Sequence, residues 1–153
     1  MKAKLKEMRG DMLKMALCDL LLYRTEKETG LFKRQNEKWG RVLSLIKEQY
    51  GFSLKTTVGV MPVSQEKSEA AKVEAVINAI PDDKITSLYA ASRLLGSPLL
   101  VLAVYSDLIT PGDAFDYSII DDIWQNDISG YDKDEVLRRK NIKKEFLDIV
   151  KDW

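Results

Sequence analysis

The sequence predicts a mainly α protein, a bundle of about six to seven helices with one short extended segment near residues 52–60. Apolar residues recur at helical spacing along most of the 153 residues, and glycine, proline and cap-forming residues separate these runs. The chain is 45% hydrophobic and 31% charged, which is typical of a folded globular protein. Because this length suits one hydrophobic core, we expect a single helical domain over residues 1–153.

Two amphipathic helices are predicted in the first third of the chain. The first covers residues 4–23 and stops at the TEKETG break, and the second covers residues 32–50 and stops at Gly51. The period then changes in FSLKTTVGVMPV (52–63), which is rich in β-branched residues and predicts an extended crossing segment. No partner strand is evident for it in this chain.

The remaining helices are predicted from residues that start and stop helices. They cover residues 65–80, 83–95, 99–105, about 111–129, and a last helix from about 133 onward. Their predicted caps are Ser64, Asp82, Ser97, Thr110 and Asp132. Pro98 at a first helical position precedes the all-apolar stretch 99–105, which is too short to span a bilayer and is predicted to be a buried central helix. The last helix is expected to turn Val136, Ile142 and Phe146 toward the core.

An acidic run stands out against a neutral chain. Residues 113–135 hold eight acidic side chains and one basic one, Lys133, whereas the whole chain has 24 of each sign. Three interpretations compete for DDIWQNDISGYDKDE (121–135): a metal or acid/base site, a surface for a basic partner, or a solvated helix face. The zero net charge excludes a strong overall field for nucleic acid or anionic membranes, and we expect neither as a partner.

The chain lacks the residues that most catalytic sites require. The chain has no histidine, which excludes the common zinc sites and Ser-His-Asp triads, and it has no phosphate-cradling glycine motif. The lone Cys18 lies among apolar residues and is predicted to be a small buried hydrophobe. Asp121 and Asp122 are adjacent on a predicted helix, so their side chains point about 100° apart and do not naturally share a proton or a metal. We expect that the protein is not an enzyme and binds no cofactor or metal. A metal site made only of acidic side chains is the alternative that the sequence leaves open.

Once these catalytic and nucleic-acid-binding functions are set aside, protein binding is the function that the residues favour. Trp124 within the acidic run can either pack in the core or anchor a partner, because tryptophan supplies a large contact area while charges steer a basic partner. The sequence alone therefore indicates a helical protein-interaction module.

Five motifs, taken in order, resemble the F1-ATPase assembly chaperones that attend the alpha subunit in mitochondria and alphaproteobacteria. They are DLLLYR (19–24), Arg34–Gln35 with Trp39, VMPVSQ (60–65), LLGSPLLVLAV (94–104) and DDIWQ (121–125). The resemblance runs from about Lys4 to the last helix. It implies a chaperone without enzymatic activity that holds free alpha subunit until the beta subunit replaces it. It also implies the cytoplasm of a bacterium, or the mitochondrial matrix in a eukaryote.

The chain departs from the family pattern in three places. Family members usually begin with a β-rich domain, and this chain begins where that domain should end, so we expect that domain to be absent. Ser129–Gly130 stands where the family usually has Trp-Gly, and Asp122 stands where it tends to have glutamate. The oligomeric state stays open, with a monomer as the working expectation.

The resemblance and the acidic run together predict the partner-binding residues. They are Asp122, Asp121, Gln125, Trp124, Arg34 and Trp39. Asp122 is the acid expected to matter most, with Asp121 and Gln125 beside it. Asp19 and Arg24 also match family motifs, yet an acid and a base amid apolar helices are as easily a buried structural pair.

Overall fold

A computed structural model describes residues 2–26, 29–59 and 61–153. Lys27 and Glu28 of the predicted TEKETG break, and Val60 of VMPVSQ, lie outside the described residues. Eight α-helices occur in the described part of the chain and confirm the mainly α prediction: α1 Lys2–Leu17, α2 Gly30–Tyr50, α3 Lys67–Asn78, α4 Asp82–Leu95, α5 Pro98–Tyr105, α6 Pro111–Ser118, α7 Ile120–Ser129 and α8 Lys133–Val150. A 3₁₀ turn, Leu20–Leu22, leads into strand β1 Tyr23–Arg24, and strand β2 is Thr57–Val58.

Helix α5 is the centre of the core, as its all-apolar sequence predicts. Every residue from Pro98 to Val104 is buried, and α4, α2, α6 and α1 pack around this helix. The Ser97 hydroxyl caps its first turn by accepting from the Leu100 N–H at 3.1 Å. Burial of each such leucine or valine contributes about 1.5–3 kcal/mol, which makes this short helix the main hydrophobic anchor of the fold.

Asp19 joins the end of the first helical region to α5. Its side chain, 1% exposed, accepts from the N–H groups of Leu21 and Leu99, both at 3.0 Å, and from the Ser97 hydroxyl at 2.7 Å. These bonds supply partners to the start of the 3₁₀ turn and to the first turn of α5. The predicted helix over 4–23 is therefore too long, because the chain leaves the helix after Leu17 to place Asp19 in the core.

Asp19 gives the fold a testable pH dependence. Burial raises the pKa of Asp19 to about 7, against the lowering effect of its hydrogen bonds with Leu99, Leu21 and Ser97. In the unfolded chain the pKa is about 3.9. Between these values the folded state keeps a proton that the unfolded state releases, so the free energy of unfolding falls as pH rises from about 4 to about 7. Ionisation of buried Asp19 does not reduce the free energy of unfolding below this window. Above the window the reduction is complete, at about 1.4 kcal/mol per unit of difference between the folded and unfolded pKa.

Urea unfolding of the wild type and of Asp19→Asn at pH 4.5, 6 and 8, followed by circular dichroism, measures this effect. Other carboxyl groups titrate equally in both proteins, so the difference between the two curves isolates Asp19. We expect the wild type to lose stability relative to Asp19→Asn as pH rises. Two parallel stability curves would contradict the raised pKa.

The extended segment finds a partner strand inside the chain. Strands β1 and β2 pair in parallel, with Tyr23 opposite Thr57 and Arg24 opposite Val58, and the Gly59 N–H extends the ladder to the Arg24 carbonyl at 2.9 Å. The prediction that this segment lacks a partner is wrong. The two-residue strand at 23–24 is too short to produce an alternating pattern, and it follows a helical stripe in the sequence.

The predicted acidic helix is two helices. Ile119 leaves the helical region at φ −116°, ψ 18°, and separates α6 from α7. Ala114, Phe115, Tyr117 and Ile120 are all buried. On one straight helix these four side chains would spread over more than half of the circumference, so the break lets both helices face the core.

Three of the five predicted caps are confirmed. Ser97, Thr110 and Asp132 accept from backbone N–H groups of the helices that they precede. Ser64 and Asp82 do not cap: α3 begins after Glu66, and Asp82 is inside α4, where its carboxylate pairs with Arg9 at 2.7 Å.

Two burial predictions are also wrong. Cys18 is exposed, since it directly follows the end of α1 at Leu17 and the chain turns into the core only from Asp19 onward. Val136 is 37% exposed, because α8 turns Ile142 and Phe146 rather than Val136 toward the core. Among the described residues, none of the helices combines the length and the apolar character needed to cross a bilayer.

Candidate partner-binding site

A groove lies where α2, α7 and strand β1 meet. It encloses a volume of about 530 Å³. Leu20, Leu31 and Trp39 form apolar walls, and Glu26 adds a carboxylate that sequence analysis missed. Five of the six predicted site residues line this groove: Asp121, Asp122, Trp124, Gln125 and Trp39. The sixth, Arg34, reaches it through Trp124.

Asp121 is held in place by the buried side-chain amide of Gln35. The Gln35 side chain, 2% exposed, donates through Nε2 to Asp121 Oδ1 at 2.8 Å. The Oε1 atom of Gln35 accepts from the Thr25 N–H at 2.9 Å. One amide thus ties α7 to α2 and to the end of β1, because a buried Gln side chain requires partners for both of its ends. Asp121 therefore holds the groove together as well as lining it.

Trp39 is a support beneath the groove rather than a contact surface. Its side chain is 1% exposed, and its indole N–H donates to the Tyr117 carbonyl at 2.8 Å. The Arg24 guanidinium lies 5.5 Å from the centre of the Trp39 ring. The prediction that Trp39 contacts a partner does not fit this burial. Trp39 packs in the core because its position four residues after Gln35 places it on the inner face of α2.

Asp19 and Arg24 are both structural, but they are not a pair. Arg24 is 5% exposed and donates to Asn36 Oδ1 at 3.1 Å and to the Tyr23 and Leu21 carbonyls. Burial lowers the pKa of the Arg24 guanidinium. Among the described residues, its hydrogen-bond partners are two backbone carbonyls and one amide oxygen, and none of these is an acid.

Trp124 packs against α2 and keeps part of its ring accessible. The ring lies directly over Gly30, where a Cβ atom would come within 2.7 Å of the Trp124 ring. Arg34 covers the ring with its guanidinium 5.3 Å from the ring centre, a cation–π distance. Trp124 therefore anchors α7 on α2, and its exposed portion lines the groove, where contact with a partner stays a prediction.

Asp122 is the charge that the groove rim presents to solvent. It is exposed in the first turn of α7. Its neighbours are engaged within the protein: Asp121 with Gln35, and Gln125 with the Ser129 hydroxyl at 2.7 Å. Within residues 2–26, 29–59 and 61–153, the Asp122 carboxylate has no such partner. A partner's basic group can therefore pair with it without breaking an internal bond.

The structure brings the predicted residues together but adds others that the sequence did not indicate. Glu26, Leu20 and Leu31 reach the groove from two separate segments, and only the β1–β2 pairing and the packing of α2 bring these segments beside α7. The described residues contain no group of three or more His, Cys, Asp or Glu side chains that could hold a metal ion.

Known structures share this arrangement of helices. The crystal structure of Atp12 from Paracoccus denitrificans superposes with a TM-score of 0.91 at 24% identity, over 97% of this chain and 64% of that one. The chain has the fold of Atp12. A lysine-for-aspartate variant of the same protein gives a TM-score of 0.93 at 24% identity, over 99% and 65% of the two chains. Atu1473, a candidate chaperone from Agrobacterium tumefaciens, gives 0.87 at 23% identity, over 97% and 55%.

The chain spans less than two thirds of the length of each of these proteins. No family model matches the sequence, and no curated protein matches it significantly.

Proposed function

We propose that this chain is an assembly chaperone of F1-ATPase, which binds the free alpha subunit and covers the surface that later faces the beta subunit. The observation that carries the proposal is the likeness to Atp12 over 97–99% of the chain. The five ordered motifs that resemble the alpha-subunit chaperones support the same conclusion. The protein acts by binding and not by catalysis, in the cytoplasm of a bacterium or in the mitochondrial matrix.

Assembly explains why such a surface is useful. A lone alpha subunit exposes a large interface meant for its neighbour, and exposed apolar interfaces aggregate. A chaperone for the alpha subunit must bind tightly enough to protect this interface and weakly enough for the beta subunit to displace it. A groove with apolar walls and a charged rim suits both needs, because rim charges act mainly on association and orientation.

We assign the partner contact to the rim of the groove. Asp122 pairs with a basic group of the alpha subunit, while Gln125 and the exposed part of Trp124 border the contact. Asp121 and Arg34 position these residues through Gln35 and the Trp124 ring. Trp39 supports the groove from within the core.

A second candidate is a helical interaction module for a different partner. The exposed Asp122 carboxylate above an apolar groove favours it, since these features suit any partner with a basic residue beside an apolar surface.

Size-exclusion chromatography of the chain mixed with purified F1 alpha subunit separates the two candidates. We expect co-elution with alpha and none with beta, because the chaperone must give way when beta enters the hexamer. The alpha and beta subunits come from the organism that encodes the chain, so that the interfaces match. Absence of an alpha complex, or equal binding of beta, would favour the second candidate.

A further inference from the structure

Four large apolar side chains cluster in the open at the turn between α7 and α8, a region we call the α7–α8 corner. Ile128 is 68% exposed, Tyr131 59%, Val136 37% and Leu137 58%. Elsewhere in the described residues, the exposed large apolar side chains are Val58 and Met61. Scattered apolar residues are ordinary on protein surfaces, but Tyr131, Val136 and Leu137 line one depression, and contiguous apolar side chains mark an interaction surface.

Three of these side chains form a shallow depression on the outer face of α8. Tyr131, Val136 and Leu137 line a volume of about 240 Å³, bordered by Lys133 and Lys140. Residues 133, 136, 137 and 140 follow the i, i+3, i+4, i+7 spacing of one helix face. The core side of α8 is elsewhere, at Arg139 and Phe146. The outer face is therefore an apolar stripe between lysines, and no element among the described residues covers it.

Side chains beneath the corner connect α7 to α8. Arg139, 7% exposed, pairs with Glu135 at 3.1 Å, and when the Asn126 amide is turned so that its oxygen faces the guanidinium, Arg139 Nη1 donates to that oxygen at 2.8 Å. This contact fastens the end of α7 to α8. On the outside, the Tyr131 hydroxyl donates to Asp127 Oδ1 at 2.7 Å. A surface ordered before binding loses little entropy when a partner docks.

The charges around the depression decide what fits it. Of the nearby acids, Asp127 and Glu135 are engaged by Tyr131 and Arg139, and the Asp132 carboxylate caps α8 by accepting from the Asp134 N–H at 2.9 Å. Asp134 is exposed in the first turn of α8, at a position outside the spacing of the stripe. Lys133 and Lys140 form no ion pair within the part of the chain that the structure describes. A partner that covers the apolar stripe must bring carboxylates to these two ammonium groups, or it desolvates them without compensation.

We propose that the α7–α8 corner binds an acidic amphipathic helix of the client, which inserts an apolar side chain between Lys133 and Lys140. Resting on the function proposed above, this inference adds a second contact of stated chemistry on the alpha subunit. Helices commonly bind this way, with an apolar face in a groove and charges at its edges. The rim residue Gln125 and the corner residue Ile128 are three positions apart on α7, about 4.5 Å along the axis. One client can therefore cover the groove and the corner together.

Two substitutions at the corner test the inference in the full chain. Leu137→Ser removes the apolar contact, and Lys140→Glu opposes the client's carboxylates; both sites are exposed, so the fold is retained. The matched control is Met61→Ser, which alters a 74% exposed residue outside the corner. Isothermal titration calorimetry against purified alpha subunit gives Kd for each protein at low and high salt.

We expect each corner variant to raise Kd about tenfold and the control to leave it unchanged. The effect of Lys140→Glu should shrink in high salt, while that of Leu137→Ser should persist. A wild-type complex whose Kd neither corner variant changes would refute the inference and leave the proposed function intact. No complex with the wild type would refute the proposed function and, with it, this contact.

Two other occupants have distinct signatures. A concentration-dependent dimer in sedimentation, lost in Leu137→Ser, would assign the corner to a second copy of the chain. Binding to anionic lipid vesicles that Leu137→Ser removes would assign it to a membrane surface. Either result would overturn the inference.

Discussion

Asp122→Lys is expected to raise Kd for the alpha subunit by at least tenfold, about 1.4 kcal/mol, while the domain stays folded. The carboxylate is exposed at the groove rim and its neighbours are engaged elsewhere, so the substitution replaces an attractive charge with a repulsive one. Asp122 is also in the first turn of α7, where a lysine loses about 0.3–1 kcal/mol of favourable interaction with the helix dipole. Circular dichroism and urea unfolding measure that smaller cost separately.

Two variants make the effect specific. Asp122→Asn removes the charge without reversing it and should give an intermediate Kd. Glu48→Lys makes the same charge change at an exposed position near the end of α2, about 20 Å along that helix from Gln35, and should bind normally. If Glu48→Lys weakens the complex as much as Asp122→Lys does, then net charge and not the groove governs binding.

Trp39→Ala is expected to reduce the free energy of unfolding by about 3–5 kcal/mol, the range for removing a buried large aromatic side chain. Trp39 is 1% exposed, donates its indole N–H to the Tyr117 carbonyl and packs beneath the Arg24 guanidinium. A cavity would open under the groove, and the Tyr117 carbonyl at the end of α6 would lose the indole donor that α2 supplies. Urea unfolding followed by circular dichroism measures this loss without depending on tryptophan fluorescence.

The less drastic Trp39→Phe separates volume from hydrogen bonding. It keeps an aromatic ring but leaves the Tyr117 carbonyl without its donor, at a cost of about 1–3 kcal/mol. Trp124→Phe is the matched control, because Trp124 is only half-buried, and it should cost less than either Trp39 variant. Comparable losses at positions 39 and 124 would show that Trp39 is not the main support of the groove.

The two substitutions report on two layers of one site. Asp122 is at the surface, where a change affects the partner more than the fold. Trp39 is below it, where a change affects the fold first and binding as a consequence. Between them, the Gln35 side chain connects Asp121 to the end of β1, so Asp121 is held by helix α2, whose core face carries Trp39.

Local chemistry alone was enough to predict many helix boundaries. Thr110 and Ser97 cap because their hydroxyl groups reach the free N–H groups two or three residues on, whatever surrounds them. Gly51 ends α2 at φ 79°, a conformation that glycine adopts at little cost. The all-apolar composition of α5 likewise required burial on all sides.

The sequence by itself determined the helical class, the central helix α5 and five of the residues that gather at the groove. Only the tertiary structure decided that α1 stops at Leu17, that β1 and β2 pair, and that Trp39 is buried while Asp122 stays exposed. The reason is the range of the interactions involved. Caps and helical periodicity act within a few residues, whereas Asp19 reaches Leu99, Gln35 reaches Asp121, and Tyr23 pairs with Thr57 across long stretches of chain. A local sequence pattern does not identify such distant partners, because they come together only when the chain packs.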